Sequence, residues 1–469
     1  MPVPAPPASR ILIVGAGFSG AITAVHLLRD SAAVPANLDV ILVERRSRFG
    51  RGLAYHTWDD NLLLNVPAGN MSALADDPGH FVAYLSDIDP AFNAASFVSR
   101  RIYGDYLEHT LRAAERVSKA RLTCRVGEVQ AVKRQAGAGL TVSLTDGNSY
   151  AVDQVVLALG HFPPLDPPPR DAFFASESFI ANPWDFDALD RIDPARPVAL
   201  LGAGHTAVDA LFRLTSTSDR RKVYLISRRG LFTQGHRFAP KPPGPNPPFP
   251  EYLTAVPDTV RAYTRAIRQE ARRKVAAGED WRDVINALRP HTAAIWQRFP
   301  LAERRKFLAR IVPFWDIHRH RLAPAAYLRL QQMLGSRQVE CVAGRVQSFE
   351  RDGEETRIRI RSRREGTVRE LRVAAVVNCT GPNYDITRLD IPLLAQLQRD
   401  GIIRQDPLKL GLDVDAEYRV IGRGGASAPD VFYIGPMLKA RYWEAIAIPE
   451  LRGHALKLAR LLGQGRAQT

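Results

Sequence analysis

Cysteine is scarce in this sequence, with three residues in 469, at Cys124, Cys341 and Cys379. They are too far apart in the chain to form a Cys-x-x-C pair, the arrangement that dithiol redox centres use. This spacing argues against a disulfide-reductase mechanism. We therefore expect three reduced thiols that behave as small, partly buried side chains.

Long apolar runs are also missing. Stretches such as Ile11–Val14 and Val155–Leu159 are far shorter than the ~20 residues that a membrane-spanning helix needs. Residues 1–10 contain several prolines and no basic segment followed by an apolar one, so they do not resemble a secretory signal. The sequence predicts a cytoplasmic protein without a membrane span, with residues 1–10 as a disordered tail.

Acidic residues are the minority charge. The chain has 49 acidic and 64 basic residues, and its net charge of +15 favours anionic partners. The excess is largest between Asp258 and Arg321, which we interpret mainly as a solvated helical surface. This segment shows little of the aromatic interleaving that base stacking requires, so we predict no specific nucleic-acid partner. A chain with 45% apolar and 24% charged residues is typical of globular proteins, and its length suits two or three domains.

An internal repeat is the most informative feature that the sequence does contain. Each pass has an apolar strand, a glycine turn, a helix and a second strand, which is the βαβ arrangement of dinucleotide-binding domains. Each pass then closes with a pair of strands and a final apolar strand. The first pass comprises Arg10–Gly20, Val40–Arg46, Leu122–Val132 and Tyr150–Pro163, and the second comprises Pro197–Asp209, Val223–Gly230, Val339–Glu350 and Val373–Pro382. Two nucleotide-binding domains explain this order most economically.

The first glycine turn follows the pattern G-x-G-x-x-G at Gly15, Gly17 and Gly20. The first glycine permits a tight turn, the second lets a pyrophosphate approach the backbone, and the third allows the helix to pack closely. Glu44 ends the next strand at about the spacing of a ribose-binding carboxylate. We expect a dinucleotide to be bound by Gly15, Ala16, Gly17, Phe18, Ser19, Gly20, Glu44 and Arg45.

The second turn has alanine at the third position, Ala207, which only packs the helix against the strand. The strand that follows ends in basic residues, Arg228 and Arg229, where the first repeat has an acid. Arginine can pair with the 2′-phosphate of NADPH, which a carboxylate would repel. We therefore predict an NADPH site formed by Gly202, Gly204, His205, Thr206, Ser227, Arg228 and Arg229. Exposed arginines beside an NADH site are the alternative.

With an acid after the first turn and basic residues after the second, the chain resembles the flavoproteins that have two dinucleotide-binding domains. Several irregular segments are similar to a large group of bacterial FAD/NAD(P)-binding proteins: Gly50–Tyr55, Leu64–Ser72, Ser227–Leu231, Trp315–Pro324 and Trp443–Arg452. The resemblance covers nearly all of the chain outside a helical segment. It implies FAD in the first site and NAD(P)H in the second, and we expect further FAD contacts from Val129, Gly160, Gly435 and Pro436.

The predicted fold class is α/β, with two Rossmann-like dinucleotide-binding domains. We assign residues 11–170 and 379–469 to a discontinuous FAD domain and residues 190–378 to an inserted NAD(P) domain. Apolar residues at every third or fourth position predict a helical insertion at about 250–330. Proline-rich connectors occur at Pro163–Pro169 and Pro240–Pro250.

One segment bears on the reaction. Leu64–Pro78 is similar to the stretch of flavin-containing and N-hydroxylating monooxygenases in which an asparagine lies near the flavin ring. Asn65 matches that asparagine, which implies a cofactor and catalytic role for Asn65, with Val66 beside it. An asparagine that holds a turn is the structural alternative. The glycine and histidine that these enzymes carry downstream are not reproduced, because Ala175 and Phe179 stand about where those residues are expected.

Two further candidate catalytic residues, Arg441 and Glu444, follow Ile434–Pro436, which resembles the closing strand and turn of an FAD domain. An arginine there is suited to hold an anionic substrate, and a glutamate to serve as base or anchor. A structural salt bridge is the alternative. The pair His318 and His320 lacks a clear third ligand, so no metal site is predicted.

The leading hypothesis is an FAD-dependent, NADPH-linked oxidoreductase that is monooxygenase-like and acts on a small polar or anionic molecule. One alternative is an NADP(H)-sensing flavoprotein without turnover, whose helical insertion binds a protein partner. Another is a basic flavoprotein that acts at a nucleic-acid or membrane surface. The substrate, the electron acceptor and the oligomeric state stay open at this point.

Overall fold

A computed structural model describes residues 9–29, 37–135, 137, 139–168, 172–216, 218, 220–239 and 244–464. The predicted tail lies outside the described residues up to residue 8, as do parts of both proline-rich connectors. Two sheets built mainly of parallel strands confirm the predicted α/β class with two Rossmann-like domains. No helix within the described ranges is long and apolar enough to cross a bilayer.

The first sheet contains β1 (Ser9–Val14), β2 (Leu38–Glu44), β3 (Arg121–Val126), β7 (Gln154–Leu157), β15 (Arg419–Ile421) and β16 (Ser427–Tyr433). Their order is β15-β16-β7-β1-β2-β3, and all neighbours are parallel except β15 and β16. A separate antiparallel meander consists of β4 (Val129–Arg134), β5 (Leu140–Leu144) and β6 (Ser149–Val152). Because β16 pairs with β7, the sheet joins two distant parts of the chain.

The helices of this part are α1 (Phe18–Arg29), α2 (His80–Ile88), α3 (Arg100–Val117), α12 (Pro392–Arg399), α13 (Lys439–Tyr442) and α14 (Ile448–Gln464). Every residue of α1 from Phe18 to Leu28 is buried, because the helix packs against α3 and α14. Its N-terminus is thereby fixed at the glycine turn that follows β1.

The second sheet contains β8 (Phe179–Ile180), β9 (Val198–Leu201), β10 (Val223–Ser227), β11 (Val339–Asp352), β12 (Glu355–Ser362), β13 (Val368–Val373) and β14 (Ala375–Asn378). Their order is β13-β12-β11-β10-β9-β14-β8. The short strand β8 lies ahead of residue 190, yet it extends this sheet because Phe179 pairs with Val376. The accompanying helices are α4 (Phe186–Asp190), α5 (His205–Leu214) and α11 (Pro324–Gly335).

Five helices form a helical insertion between β10 and α11: α6 (Val260–Ala276), α7 (Trp281–Leu288), α8 (Thr292–Arg298), α9 (Leu301–Arg310) and α10 (Val312–Arg319). The insertion has its own apolar cluster, which includes Leu253, Tyr263 and Leu288. Two backbone hydrogen bonds hold its two ends together: the N–H of Leu322 donates to the carbonyl of Gln234, and the N–H of His236 donates to the carbonyl of Leu322. It reaches the first domain where the indole nitrogen of Trp296 donates to the carbonyl of Ala440, at 3.0 Å.

Candidate functional site

The first glycine turn is built so tightly that side chains are excluded from it. Gly15 has φ +101°, and a Cβ placed on it would lie 2.4 Å from the carbonyl oxygen of Ala158. A Cβ on Gly20 would lie 1.9 Å from the carbonyl oxygen of Gly15. The N-terminus of α1, with its unpaired N–H groups, is therefore held at the turn, where an anion would be bound.

Glu44 lies beside this turn as predicted from its position at the end of β2. Its carboxylate accepts a hydrogen bond from the backbone N–H of Ala16, at 2.8 Å. Arg45 instead points to the surface, where its guanidinium lies 3.7 Å from the carboxylate of Glu128. The side chain of Val129 is buried in the core, so only its backbone is available to a cofactor.

Gly50–Tyr55 packs directly on the glycine turn, a placement that the sequence did not reveal. The N–H of Gly50 donates to the carbonyl of Ala16 at 2.7 Å, and a Cβ on Gly52 would lie 2.9 Å from the α-carbon of Gly17. Arg51 between the two glycines has a side chain only 1% exposed and pairs with Glu108 at 2.9 Å and with Asp105. This buried ion pair fixes the segment against α3.

The second glycine turn has the same constraint as the first at its first glycine, where the backbone leaves no room for a side chain. Gly202 has φ +125°, and a Cβ on it would lie 2.3 Å from the carbonyl oxygen of Cys379. Gly204, by contrast, has open space around the position of a Cβ. His205 follows at the start of α5, with its Nε2 3.2 Å from the carbonyl oxygen of Arg321. Burial lowers the pKa of His205 to about 4, so that its ring is neutral at pH 7.

The strand after this turn ends as the sequence predicts, with a hydroxyl and two guanidinium groups. The Ser227 hydroxyl accepts a hydrogen bond from the N–H of Gly230 at 3.0 Å, which closes the turn after β10. Arg228 is exposed, and the Arg229 guanidinium lies 5.8 Å from the centre of the Phe314 ring. Both arginines line a cleft of about 570 Å³.

Asn65 lies where the two domains meet. It lines a narrow pocket together with Arg100 of α3 and His205 of α5. The carbonyl oxygen of Asn65 is 3.0 Å from Nε2 of His236 in the second domain. The Arg100 guanidinium forms a 2.8 Å ion pair with Asp209, so this junction is held by charge as well as by shape.

Arg441 and Glu444 have different neighbours. The Glu444 side chain is 3% exposed, lies 3.1 Å from the Arg319 guanidinium and accepts a 3.1 Å hydrogen bond from the Trp315 indole. Arg441 donates to the carbonyl of Val414 at 3.2 Å. In the described part of the chain, no hydrogen bond or ion pair joins these two side chains to each other or to Asn65. The ion pair of Glu444 also fastens α10 to the segment after α13.

A set of polar side chains that the sequence did not single out lies beside this segment. Lys439 Nζ is 4.3 Å from the centre of the Trp443 ring and 5.9 Å from that of Tyr384. The Tyr384 hydroxyl is 3.3 Å from Nδ1 of His161. Burial, aided by Lys439, lowers the pKa of His161 to about 4, so the histidine is uncharged at pH 7. Only the tertiary fold brings these residues together, since His161 follows β7, Tyr384 follows β14 and Lys439 follows β16.

Lys439 and Asp316 are two oppositely charged residues that influence each other without forming an ion pair in the described ranges. Burial lowers the pKa of Lys439 and raises that of Asp316 to about 6, and in each case the other residue opposes the shift. No ion pair of 4.0 Å or less joins them in the described ranges, where the recorded side-chain contact of Asp316 is His320 at 4.0 Å. The Asp316 side chain keeps 43% of its surface accessible. A ligand with both charges would complete the pair.

The described residues include no group of three His, Cys, Asp or Glu side chains that is arranged to hold a metal ion. His318 is 2.7 Å from the carbonyl of Phe314 through its Nδ1. His320 is enclosed, and burial together with Arg319 keeps its pKa well below the usual range. His318 thus contacts the backbone of its own helix, and His320 lies directly after the end of α10.

Comparison with known proteins adds independent findings. A family model described as FAD-NAD(P)-binding matches residues 12–162, which contain the first glycine turn and Glu44. An L-aspartate N-monooxygenase (nitrosuccinate-forming) from Streptomyces cremeus is 30% identical over 322 residues, which cover 64% of this chain and 41% of that protein. The match therefore spans about two fifths of that relative's length.

Solved structures show the same fold over nearly the whole chain. The L-lysine 6-monooxygenase from Pseudomonas syringae superposes with a TM-score of 0.69 at 18% identity, covering 98% of this chain and all of that one. The ornithine N-hydroxylase of Kutzneria sp. 744 superposes with a TM-score of 0.64 at 16% identity, covering 99% and 100%. At such identities the likeness concerns the fold alone.

Proposed function

We propose that this chain is a flavoprotein with two dinucleotide-binding domains that binds FAD, uses NADPH to reduce the flavin, and hydroxylates the nitrogen of a small amine that also carries a carboxylate. In the balanced reaction, NADPH supplies two electrons, one oxygen atom of O₂ enters the substrate and the other leaves as water. The similarity to an L-aspartate N-monooxygenase, and a fold shared with an L-lysine 6-monooxygenase and an ornithine N-hydroxylase, support the monooxygenase-like hypothesis from the sequence.

The first glycine turn fits an FAD pyrophosphate. The α-carbons of Gly17 and Gly52 leave a surface without side chains at the N-terminus of α1, and Glu44 is held at the position of a ribose partner. Gly160, three residues after the end of β7, has open space around the position of a Cβ. Bound flavin supplies hydride acceptance and oxygen transfer, chemistry that protein side chains lack. The chain's own residues bind and orient the cofactor and exclude water.

Of the three catalytic candidates from the sequence, we assign a role near the cofactors to Asn65 and structural roles to Glu444 and Arg441. Asn65 lines the junction between the two glycine turns, where a polar group can orient a nicotinamide against a flavin. Glu444 acts through Arg319, so we assign it a positioning role that anchors the helical insertion. Arg441 and the turn at Gly435 and Pro436 shape the closing segment of the FAD domain.

The observation that supports the substrate class is the unpaired charge of Lys439 and Asp316. The ammonium of Lys439 can bind a carboxylate, and the carboxylate of Asp316 can accept hydrogen bonds from an amine. Neutral His161 and Tyr384 next to Lys439 offer further hydrogen bonds without competing charge. A zwitterionic amino acid or a related amine with an acidic group matches this pattern.

The function is tested by measuring NADPH oxidation, oxygen uptake and peroxide release together on FAD-loaded protein, with a panel of amino acids, diamines and amines without a carboxylate. An amino acid that couples NADPH oxidation to formation of a hydroxylamine supports the proposal. Lys439→Met should raise KM for that substrate about ten- to a hundredfold, since a charged hydrogen bond is lost. Lys457→Met, an exposed lysine of α14, is the matched control. Peroxide release with every candidate would contradict the proposal.

A further inference from the structure

The cleft next to Arg228 and Arg229 is larger and more basic than a phosphate contact requires. Its volume is about 570 Å³, and its walls come from the end of β10, the β11–β12 hairpin and the helical insertion. The lining residues are Arg228, Arg229, Leu308, Ala309, Pro313, Gly344, Arg345, Arg361, Ser362 and Arg363. Five of these ten are arginines, and none is acidic.

The positive charge of this cleft is not neutralised by the protein. Among the described residues, no carboxylate lies within 4.0 Å of Arg345, Arg361 or Arg363, and the same holds for Arg228 and Arg229. Burial, together with Arg363 and Arg228, lowers the pKa of Arg229. Arg228, Arg345, Arg361 and Arg363 are exposed to solvent and therefore free to meet an anion, and guanidinium groups are well matched to phosphate.

The opposite wall is apolar. Leu308 and Ala309 of α9 and Pro313 of α10 belong to the helical insertion, and the neighbouring Phe314 lies 5.8 Å from Arg229. An apolar wall that faces arginines suits a flat base attached to a phosphate, because the base can pack on the wall while its phosphate meets the guanidinium groups. A free inorganic anion would leave this wall unused.

The position of the cleft in the fold also suits the binding of a dinucleotide. Strand β10 runs parallel to β9, and Ser227 at its end pairs with Ala343 of β11. The cleft thus opens at the same strand end as the second glycine turn, at the edge where a Rossmann-type domain binds the adenosine of its dinucleotide. A Cβ on Gly344 would lie 2.6 Å from the carbonyl oxygen of Arg361, so the two strands pack closely and fix the backbone positions of the neighbouring arginines.

We infer that the adenosine 2′-phosphate half of NADPH lies in this cleft, with the helical insertion as the wall for adenine and Arg345 and Arg363 sharing the 2′-phosphate with Arg228 and Arg229. The inference rests on the proposed use of NADPH and deepens it, because it assigns a binding role to the insertion and to two arginines of the hairpin. The insertion then serves cofactor selection as well as contact with the first domain.

The test is equilibrium binding of adenosine 2′,5′-bisphosphate and of ADP to the FAD-loaded protein, measured by calorimetry. The double variant Arg345→Ala/Arg363→Ala should bind the bisphosphate about tenfold or more weakly, with little change for ADP, which has no 2′-phosphate. Arg359→Ala is the matched control, because Arg359 is exposed on β12 and does not line the cleft. Leu308→Ser should weaken both ligands by removing part of the adenine wall.

The outcomes separate the inference from the function on which it rests. If the double variant binds the bisphosphate as tightly as Arg359→Ala does, while wild-type protein still prefers NADPH, the inference is overturned and the function stands. If wild-type protein binds the bisphosphate no better than ADP and uses NADH equally well, the proposed NADPH dependence itself fails.

Discussion

The two glycine turns share a backbone geometry and differ in what surrounds them. Gly15 and Gly202 both have positive φ, and a Cβ on either would collide with the carbonyl oxygen of a residue directly after a strand, Ala158 after β7 or Cys379 after β14. Gly17, however, lies against Gly52 and is covered by Gly50–Tyr55, whereas Gly204 faces open space. The covered turn suits a cofactor that stays bound, and the open turn suits one that must enter and leave in each cycle. In the proposed function, the first turn is therefore the site of resident FAD and the second that of exchangeable NADPH.

The largest effect is expected from Gly17→Val, which would break the covered turn. A Cβ at this position would lie 3.3 Å from the α-carbon of Gly52, and the valine methyl groups would occupy the space for the pyrophosphate. Flavin content of the purified protein, measured by absorbance after denaturation, should fall about tenfold or more. Gly453→Ala, in open space on α14, serves as the control. Normal flavin content in Gly17→Val would contradict the assignment of the first site.

A smaller and more selective effect is expected from Gly204→Val. The backbone of Gly204 has φ −90°, which valine can adopt, and no neighbouring atom is displaced. Flavin content and melting temperature should match those of wild-type protein, while Kd for NADPH rises about tenfold or more because the side chain occupies the phosphate approach. Loss of flavin in this variant would mean that the two turns do not serve separate cofactors.

The replacement of both Arg228 and Arg229 by alanine sharpens the comparison at the level of cofactor choice. We expect kcat/KM for NADPH to fall about ten- to a hundredfold, equivalent to ~1.5 to 3 kcal/mol of charged hydrogen bonding, and kcat/KM for NADH to change little. A general loss of stability would lower both values. Equal losses for the two cofactors would therefore refute a phosphate contact.

The smallest effect concerns the pH dependence of the proposed substrate site at Lys439 and Asp316. The pKa of Asp316 is raised to about 6, so its carboxylate is present above this pH and becomes protonated below it. The charged or titratable groups that interact with it are Lys439, Glu444, His320 and Tyr384. KM for the amine substrate should rise as the pH falls below about 6, and Asp316→Asn should remove this dependence. An unchanged profile in Asp316→Asn would exclude Asp316 as the substrate's partner.

Features of the site that depend on short stretches of chain could be predicted from the sequence. Gly15, Gly202 and Glu44 occupy places that a strand, a turn and the next strand define locally, and the structure has them there. The two-domain fold followed from the same repeat. The roles of individual cofactor residues, such as Arg45 on the surface, depend on side-chain direction, which the pattern does not specify.

The rest depends on contacts between distant parts of the chain. Glu444 is 125 positions from its partner Arg319, and the buried Arg51 meets Glu108 only because α3 packs on the first turn. Lys439 and Asp316, which influence each other's pKa, likewise come from the first domain and from the helical insertion. No periodicity or motif encodes such pairs, since each residue taken alone is equally consistent with a solvated surface.

The most direct test of the account is the rate at which NADPH and NADH reduce the bound flavin when each is mixed rapidly with the protein in the absence of oxygen. This measurement needs no knowledge of the substrate and involves both glycine turns at once. We predict that NADPH bleaches the yellow flavin about ten- to a hundredfold more efficiently than NADH, since only NADPH has a 2′-phosphate for the arginines after β10 to bind. Reduction by both cofactors at the same rate, or by neither, would contradict it.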